Sequence, residues 1–189
     1  MGRLIIFVGP SGSGKSAMAD YMMREHHALK VVSTTNRAVR QGEVEGESYY
    51  FVSDDMFTHM TLCNEFVEYA MYSDKYYGTT RAELSEKLKA AGDGYVVNCM
   101  EISGALAVKK AIPGTVLIFM DVPISALMKR MHDRGDDFDA ITARVQNYVD
   151  KKEADNERFC DYVIHNTGSL QDAEEILDRI LEYIDYSKS

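Results

Sequence analysis

Eight consecutive residues, Gly9-Pro10-Ser11-Gly12-Ser13-Gly14-Lys15-Ser16, satisfy the spacing G-x-x-x-x-G-K-[ST]. That spacing suits phosphate chemistry. Glycines permit the positive φ that turns successive backbone N–H groups toward phosphate oxygens, and a helix starting at this point adds its partial positive charge. Lys15 is placed to reach β- and γ-phosphates, and the Ser16 hydroxyl suits Mg²⁺. The motif directly follows the apolar run Leu4 to Val8 and precedes a helical pattern, which is the context it requires. A nucleoside triphosphate site is expected here, with Ser16 as the metal ligand.

A second group of residues begins at Ser33. The stretch Ser33-Thr-Thr-Asn-Arg37-Ala-Val-Arg40-Gln-Gly-Glu-Val-Glu-Gly-Glu-Ser-Tyr49-Tyr-Phe-Val carries two arginines, a serine and a tyrosine that can surround a phosphate with bidentate and charge-assisted bonds. A solvated surface role is open for either arginine when taken alone. Phe66-Val-Glu68-Tyr-Ala and Tyr76-Tyr77-Gly78-Thr79 add a carboxylate and hydroxyls. Downstream, Arg130 and Arg134 share a helix face at i, i+4, and Arg144 lies beside the stripe of Ile141, Val145 and Tyr148. A bland alternative, more open for Arg130 than for Arg144, is that these are helix-surface arginines paired with nearby aspartates.

The elements that must position these groups alternate between short β-rich runs and helical patterns, the sequence form of an α/β fold with a mostly parallel sheet. Leu4–Val8, Tyr95–Val97, Thr115–Met120 and Tyr162–Ile164 are the expected core strands, with Lys30–Val32 a weaker one. Met18, Tyr21 and Met22 give one helical face; Ile124, Leu127, Met128 and Met131 give another. Thr80-Arg-Ala-Glu83 and Ser169-Leu-Gln-Asp172 read as capping boxes, the second opening a final helix that buries Leu170, Ala173, Ile176, Leu177, Ile180 and Ile184. Residues 34–79 break the rhythm with tyrosine-rich extended runs and are expected to form an inserted subdomain. Residues 133–139, dense in charge and glycine, are expected to form a mobile loop.

Composition narrows the options further. The 189 residues suit one compact domain, and 46% hydrophobic with 27% charged residues exclude disorder as the main state. A formal charge of −9 opposes non-specific binding to nucleic acid polymers or anionic membranes, so an anionic partner must meet a local basic pocket. Cys63, Cys99 and Cys160 stand far apart without zinc spacing, and the five histidines form no ligand constellation. No signal peptide, span or lipid anchor is expected, which points to the cytoplasm.

With these residues in place, the chain resembles guanylate kinase in order from Gly9 to Asn166. The phosphate loop is shared by many families; the run from Ser33 through Phe51, the F-V-E-Y-A element and Y-Y-G-T are far more particular. The resemblance implies a single domain over residues 1–189, with a parallel-sheet core (1–33, 80–132 and 140–189), a GMP-binding subdomain (34–79) and a lid (133–139). It implies Mg²⁺-dependent transfer of the γ-phosphoryl group of ATP to GMP or dGMP. Carried over position by position, ATP would lie on Gly9, Pro10, Ser11, Gly12, Ser13, Gly14, Lys15 and Ser16, with Asn166 on the adenine side. Ser33, Arg37, Arg40, Tyr49 and Tyr77 would hold the GMP phosphate, while Glu68 and Thr79 would read the guanine. Lys15, Arg37, Arg134 and Arg144 would stabilise the transferring group.

The chain departs from the family at several points. Val39 and Gln41 stand where proline is frequent. Cys99 and Glu101 stand where two aspartates are usual, so Glu101 is expected on the GMP side, and Asp121 is an alternative source of the acidic group. A kinase for another small phosphorylated acceptor and a non-catalytic binding module are the competing readings. Glu68 with Thr79 argues against the first, and an intact Lys15 and Ser16 against the second. Oligomeric state has no sequence signal.

Overall fold

The computed structural model describes residues 2–72, 74–133 and 135–186. Its elements begin with β1 (Arg3–Val8), α1 (Lys15–Glu25), β2 (Leu29–Lys30), β3 (Thr34–Thr35) and β4 (Tyr50–Phe51). They continue with α2 (Asp54–Leu62), β5 (Phe66–Tyr72), β6 (Lys75–Thr80), α3 (Arg81–Ala90), β7 (Tyr95–Cys99) and α4 (Ile102–Ala111). The chain then forms β8 (Val116–Asp121), α5 (Ile124–Asp133), α6 (Phe138–Asp150), a 3₁₀ helix (Glu153–Phe159), β9 (Tyr162–His165) and α7 (Leu170–Tyr186).

Five parallel strands in the order β2-β7-β1-β8-β9 make the main sheet. The central strand β1 is buried on both faces, which explains its continuous apolar run. Ile5 and Phe7 pack with Met18 and Met22 of α1 and with Leu177 and Leu181 of α7 on one side. Leu4, Ile6 and Val8 pack with Leu84 and Leu88 of α3 and with Ala105 and Val108 of α4 on the other. Because all five strands run the same way, the carboxyl ends of β1, β7 and β8 meet at one edge, where such sheets place their ligands.

A second, four-stranded sheet has the order β4-β3-β6-β5 and mixed direction. Helix α2 closes one side of it: Phe57 is buried and stacks on Phe66 and Tyr76 at centroid distances of 4.5 and 5.5 Å. Ser53 starts that helix by accepting the Met56 N–H at 3.1 Å.

Leu170, expected in the buried stripe of the final helix, is exposed at the first residue of α7, and two further local expectations need correction. The strand expected over Lys30–Val32 pairs at Leu29 and Lys30, with the Val31 N–H still donating to the Val97 carbonyl at 3.0 Å, and the outward Val32 N–H donates to Glu83 Oε1 at 2.9 Å. The box at Thr80 is half formed: Thr80 Oγ1 accepts the Glu83 N–H at 3.2 Å, while the Glu83 carboxylate is used at Val32 and, at 3.2 Å, by the Tyr50 hydroxyl. At Ser169 the box is reciprocal, with Asp172 accepting the Ser169 N–H and Ser169 accepting the Asp172 N–H.

Candidate active site

The loop after β1 turns through positive φ at Gly9, Gly12 and Gly14, and Gly14 is the left-handed N-cap of α1. At Gly14 close approach also demands glycine, since a Cβ there would stand 2.7 Å from Asn166 Nδ2. Asn166 is itself fully engaged. Its Nδ2 donates to the Ser13 carbonyl at 3.0 Å, and its Oδ1 and carbonyl accept from Arg130 Nη2 at 3.2 and 3.0 Å. Asn166 is therefore a buried buttress under the loop, and Arg130 ties α5 to it. Lys15 Nζ bends back to the Gly9 and Pro10 carbonyls at 2.5 and 2.7 Å. Burial lowers the Lys15 pKa, and the nearby Cys99, Glu101 and Glu153 oppose that shift.

A cleft of about 610 Å³ joins this loop to the small sheet. Gly9, Pro10, Ser11 and Lys15 form its floor on the loop side, whereas Gly12, Ser13, Gly14 and Ser16 shape the loop without lining the cleft. Across from them lie Ser33, Arg37, Arg40, Tyr49 and Tyr77. Arg37 Nε donates to the Tyr77 hydroxyl at 3.2 Å, and its guanidinium lies over the rings of Tyr49 and Phe51. Its outer fork is bidentate to Glu43, at 2.6 and 3.0 Å. Glu43 also accepts the Arg40 N–H at 2.8 Å, and the Arg37 bond, first, then that N–H hold its carboxyl below the usual range. Glu43 carries no signal in the sequence, because no spacing rule ties a carboxylate to the arginine it steadies.

Glu68 reaches the cleft through an irregularity in the ladder. Phe66 pairs with Thr80 and Glu68 with Thr79, so β5 carries one extra residue at Val67. Thr79 Oγ1 donates to Glu68 Oε1 at 2.8 Å. Thr79 is fully buried, and it touches the site through this bond.

The third wall comes from the end of β7 and from α5, α6 and the 3₁₀ helix. Cys99 and Glu101 both line it, and Glu153 faces them. Burial pushes the Cys99 thiol up to about 11, with Lys15 pulling the other way, so a neutral thiol stands where the resemblance expects a carboxylate. Of the two acidic alternatives, Glu101 is on the cleft, whereas Asp121 accepts from His165 Nδ1 at 2.8 Å away from the lining. Arg144 lines the cleft and donates to Asp136 Oδ2 at 2.5 Å. Arg134 falls outside the described residues.

The sequence profile described as guanylate kinase matches residues 1–184. A guanylate kinase of Trichodesmium erythraeum is 36% identical over 183 residues, covering 95% of this chain and 96% of that protein. One from Thermus thermophilus is 36% identical over 168 residues, covering 87% and 74%. The crystal structure of guanylate kinase from Anaplasma phagocytophilum superposes with a TM-score of 0.69 at 25% identity, covering 98% of this chain and 86% of that one.

Proposed function

Because the chain belongs to the guanylate kinase family, whose reaction moves the γ-phosphoryl group of ATP to GMP, we propose that the cleft holds ATP on the Gly9–Ser16 loop and GMP or dGMP against the small sheet. The observation that carries this assignment is the single cleft uniting Lys15 with Arg37, Tyr49, Tyr77 and Glu68. The loop N–H groups and the α1 terminus cradle the triphosphate, and Lys15 exchanges its two carbonyl partners for phosphate oxygens. Ser33, Arg37, Arg40, Tyr49 and Tyr77 bind the acceptor phosphate; Arg37 would turn its outer fork from Glu43 to do so, with Tyr77 and the aromatic rings keeping the guanidinium in place. Glu68 accepts the adjacent N1–H and N2–H₂ donors of guanine, a pair that adenine lacks. Glu101 lies beside Lys15 on the GMP side.

Phosphoryl transfer asks for positioning and charge compensation more than covalent work. Lys15, Arg37, Arg134 and Arg144 supply the cations in this reading; Arg144 would leave Asp136 to do so. Residues 34–79 act as the GMP-binding subdomain and 133–139 as the lid, excluding water when closed. Members of this family use a divalent metal ion, and we assign it as Mg²⁺ at Ser16. The donor chemistry fits: Ser16 offers a hydroxyl beside Lys15 in the first turn of α1, and phosphate oxygens with water would supply the other oxygen ligands. Mg²⁺ suits such a site because it keeps waters and binds phosphates. When bound, it neutralises charge on the β- and γ-phosphates.

Among the described residues no helix is long and apolar enough to cross a membrane, and all three cysteines are free, which suits a reducing cytoplasm. The test is ADP formation from MgATP across a panel of nucleoside monophosphates. GMP should be preferred, and Lys15→Ala should lose several orders of magnitude in kcat with the fold intact. A folded wild-type protein that turns over no monophosphate refutes the assignment.

A further inference from the structure

Gly104 stands in the first turn of α4, a helix anchored to the main sheet by the fully buried Ala105 and Val108. Its importance lies in what a side chain there would meet. A Cβ on Gly104 would be 2.9 Å from Glu68 Oε2, 3.2 Å from Cδ and 3.6 Å from Cγ. The other carboxylate oxygen is held by Thr79 Oγ1 at 2.8 Å. The Glu68 carboxylate is thus lodged between a buried hydroxyl and a bare stretch of helix.

We propose that Gly104 is a specificity-determining positioning residue, whose missing side chain lets the Glu68 carboxylate lie against α4 in the orientation that reads guanine. The proposal rests on Glu68 being the base reader. Three features make Glu68, and nothing else, the part that must yield to a larger residue. The helix cannot withdraw without opening the packing of Ala105 and Val108. The β5 backbone is held as well, because Glu68, Tyr69 and Ala70 are paired with Thr79, Gly78 and Tyr77 of β6 in the antiparallel ladder. Last, the obstructing atoms at Gly104 are the far end of a flexible side chain, which rotates at small cost. Alanine also suits a helix interior better than glycine. Folding stability and base choice should therefore separate at this position.

The test uses the full-length protein as Gly104→Ala, Glu68→Gln and the double variant. The readouts are kcat/KM for GMP and for IMP, which lacks the exocyclic amino group, together with KM for ATP and the Tm. Gly104→Ala should keep the wild-type Tm or raise it and keep KM for ATP, while the preference for GMP over IMP falls by roughly tenfold or more. In the Glu68→Gln background the same substitution should change the preference less than it does in the wild type, because the charge it repositions is already gone. If Gly104→Ala keeps the wild-type preference while Glu68→Gln loses it, the role of Gly104 is refuted and that of Glu68 stands. If Glu68→Gln keeps the preference too, the base-reading assignment itself falls. A marked drop in Tm, or an equal loss toward ATP and GMP, would show that the helix yields rather than the carboxylate, and would also overturn the proposal.

Discussion

Burial pushes the Glu68 ionisation above its ordinary value of 4.5, against the opposing pull of the Thr79 hydrogen bonds. Only the charged form accepts both guanine donors, so KM for GMP should climb as pH falls through that raised value, earlier than for an ordinary glutamate. The second ionisation of the GMP phosphate, near ~6, affects wild type and Glu68→Gln alike. The difference between their pH profiles isolates Glu68; coincident profiles would remove it from base recognition. Glu68→Gln should also weaken GMP use by about 2–4 kcal/mol of transition-state stabilisation with ATP affinity nearly intact. Cys99 poses a different question, since its thiol titrates near 11 and is neutral at physiological pH. Cys160 is raised to about 11 as well, by burial first and Asp161 second, whereas Cys63 is exposed. Alkylation of the native protein at about pH 8 should therefore mark Cys63 and spare the other two, as peptide mapping would show. Rapid labelling of Cys99 would mean that it is a thiolate in the site.

Between elements, Glu83 is the connection whose loss should be felt most. Its side chain is 5% exposed and serves the Val32 N–H and the Tyr50 hydroxyl, with Lys87 Nζ at 3.7 Å. It therefore fastens α3 both to the strand end leaving the main sheet and to β4 of the small one. Glu83→Ala strands a buried N–H and should cost about 2–3 kcal/mol in denaturant unfolding, more than the ~1 kcal/mol expected for Thr80→Ala, which removes only the cap. Equal losses would reduce Glu83 to an ordinary first-turn residue. These two residues also mark the limit of sequence reading. The phosphate loop is legible because its shape follows from neighbours along the chain: glycines at the turn, then a helix start. The Thr80 cap is legible for the same reason. The destination of Glu83, the extra residue at Val67 and the lodging of Glu68 against Gly104 depend on elements distant in sequence, and no spacing announces them. Helices α2 and α4 escaped the periodicity reading too, α4 because its small apolar residues Gly104, Ala105 and Ala107 leave no contrast between faces.

Across the whole molecule, cohesion is unevenly distributed. The main sheet is covered on both faces by buried clusters, while the small sheet has Phe57 and Phe66 as its buried aromatics and exposes Tyr69, Met71 and Tyr76. Amide hydrogen exchange should accordingly be ~10-fold or more faster in β3, β5 and β6 than in β1 and β8, and GMP should slow the former selectively. Uniform protection by GMP would argue against binding at the small sheet. Charge is uneven as well: in a chain of net charge −9, six cations, Lys15, Arg37, Arg40, Lys75, Arg144 and Lys151, line one cleft against four carboxylates, Glu43, Glu68, Glu101 and Glu153. Its aromatic wall has an optical consequence. The protein has twelve tyrosines and no tryptophan, so its near-ultraviolet emission comes from tyrosine alone. Tyr49 and Tyr77, with ring centroids 5.7 Å apart, flank the expected phosphate. A phosphate bound between them changes the surroundings of both hydroxyls, so GMP titration should change the emission of the unlabelled protein saturably, and Tyr49→Phe with Tyr77→Phe should remove most of that change.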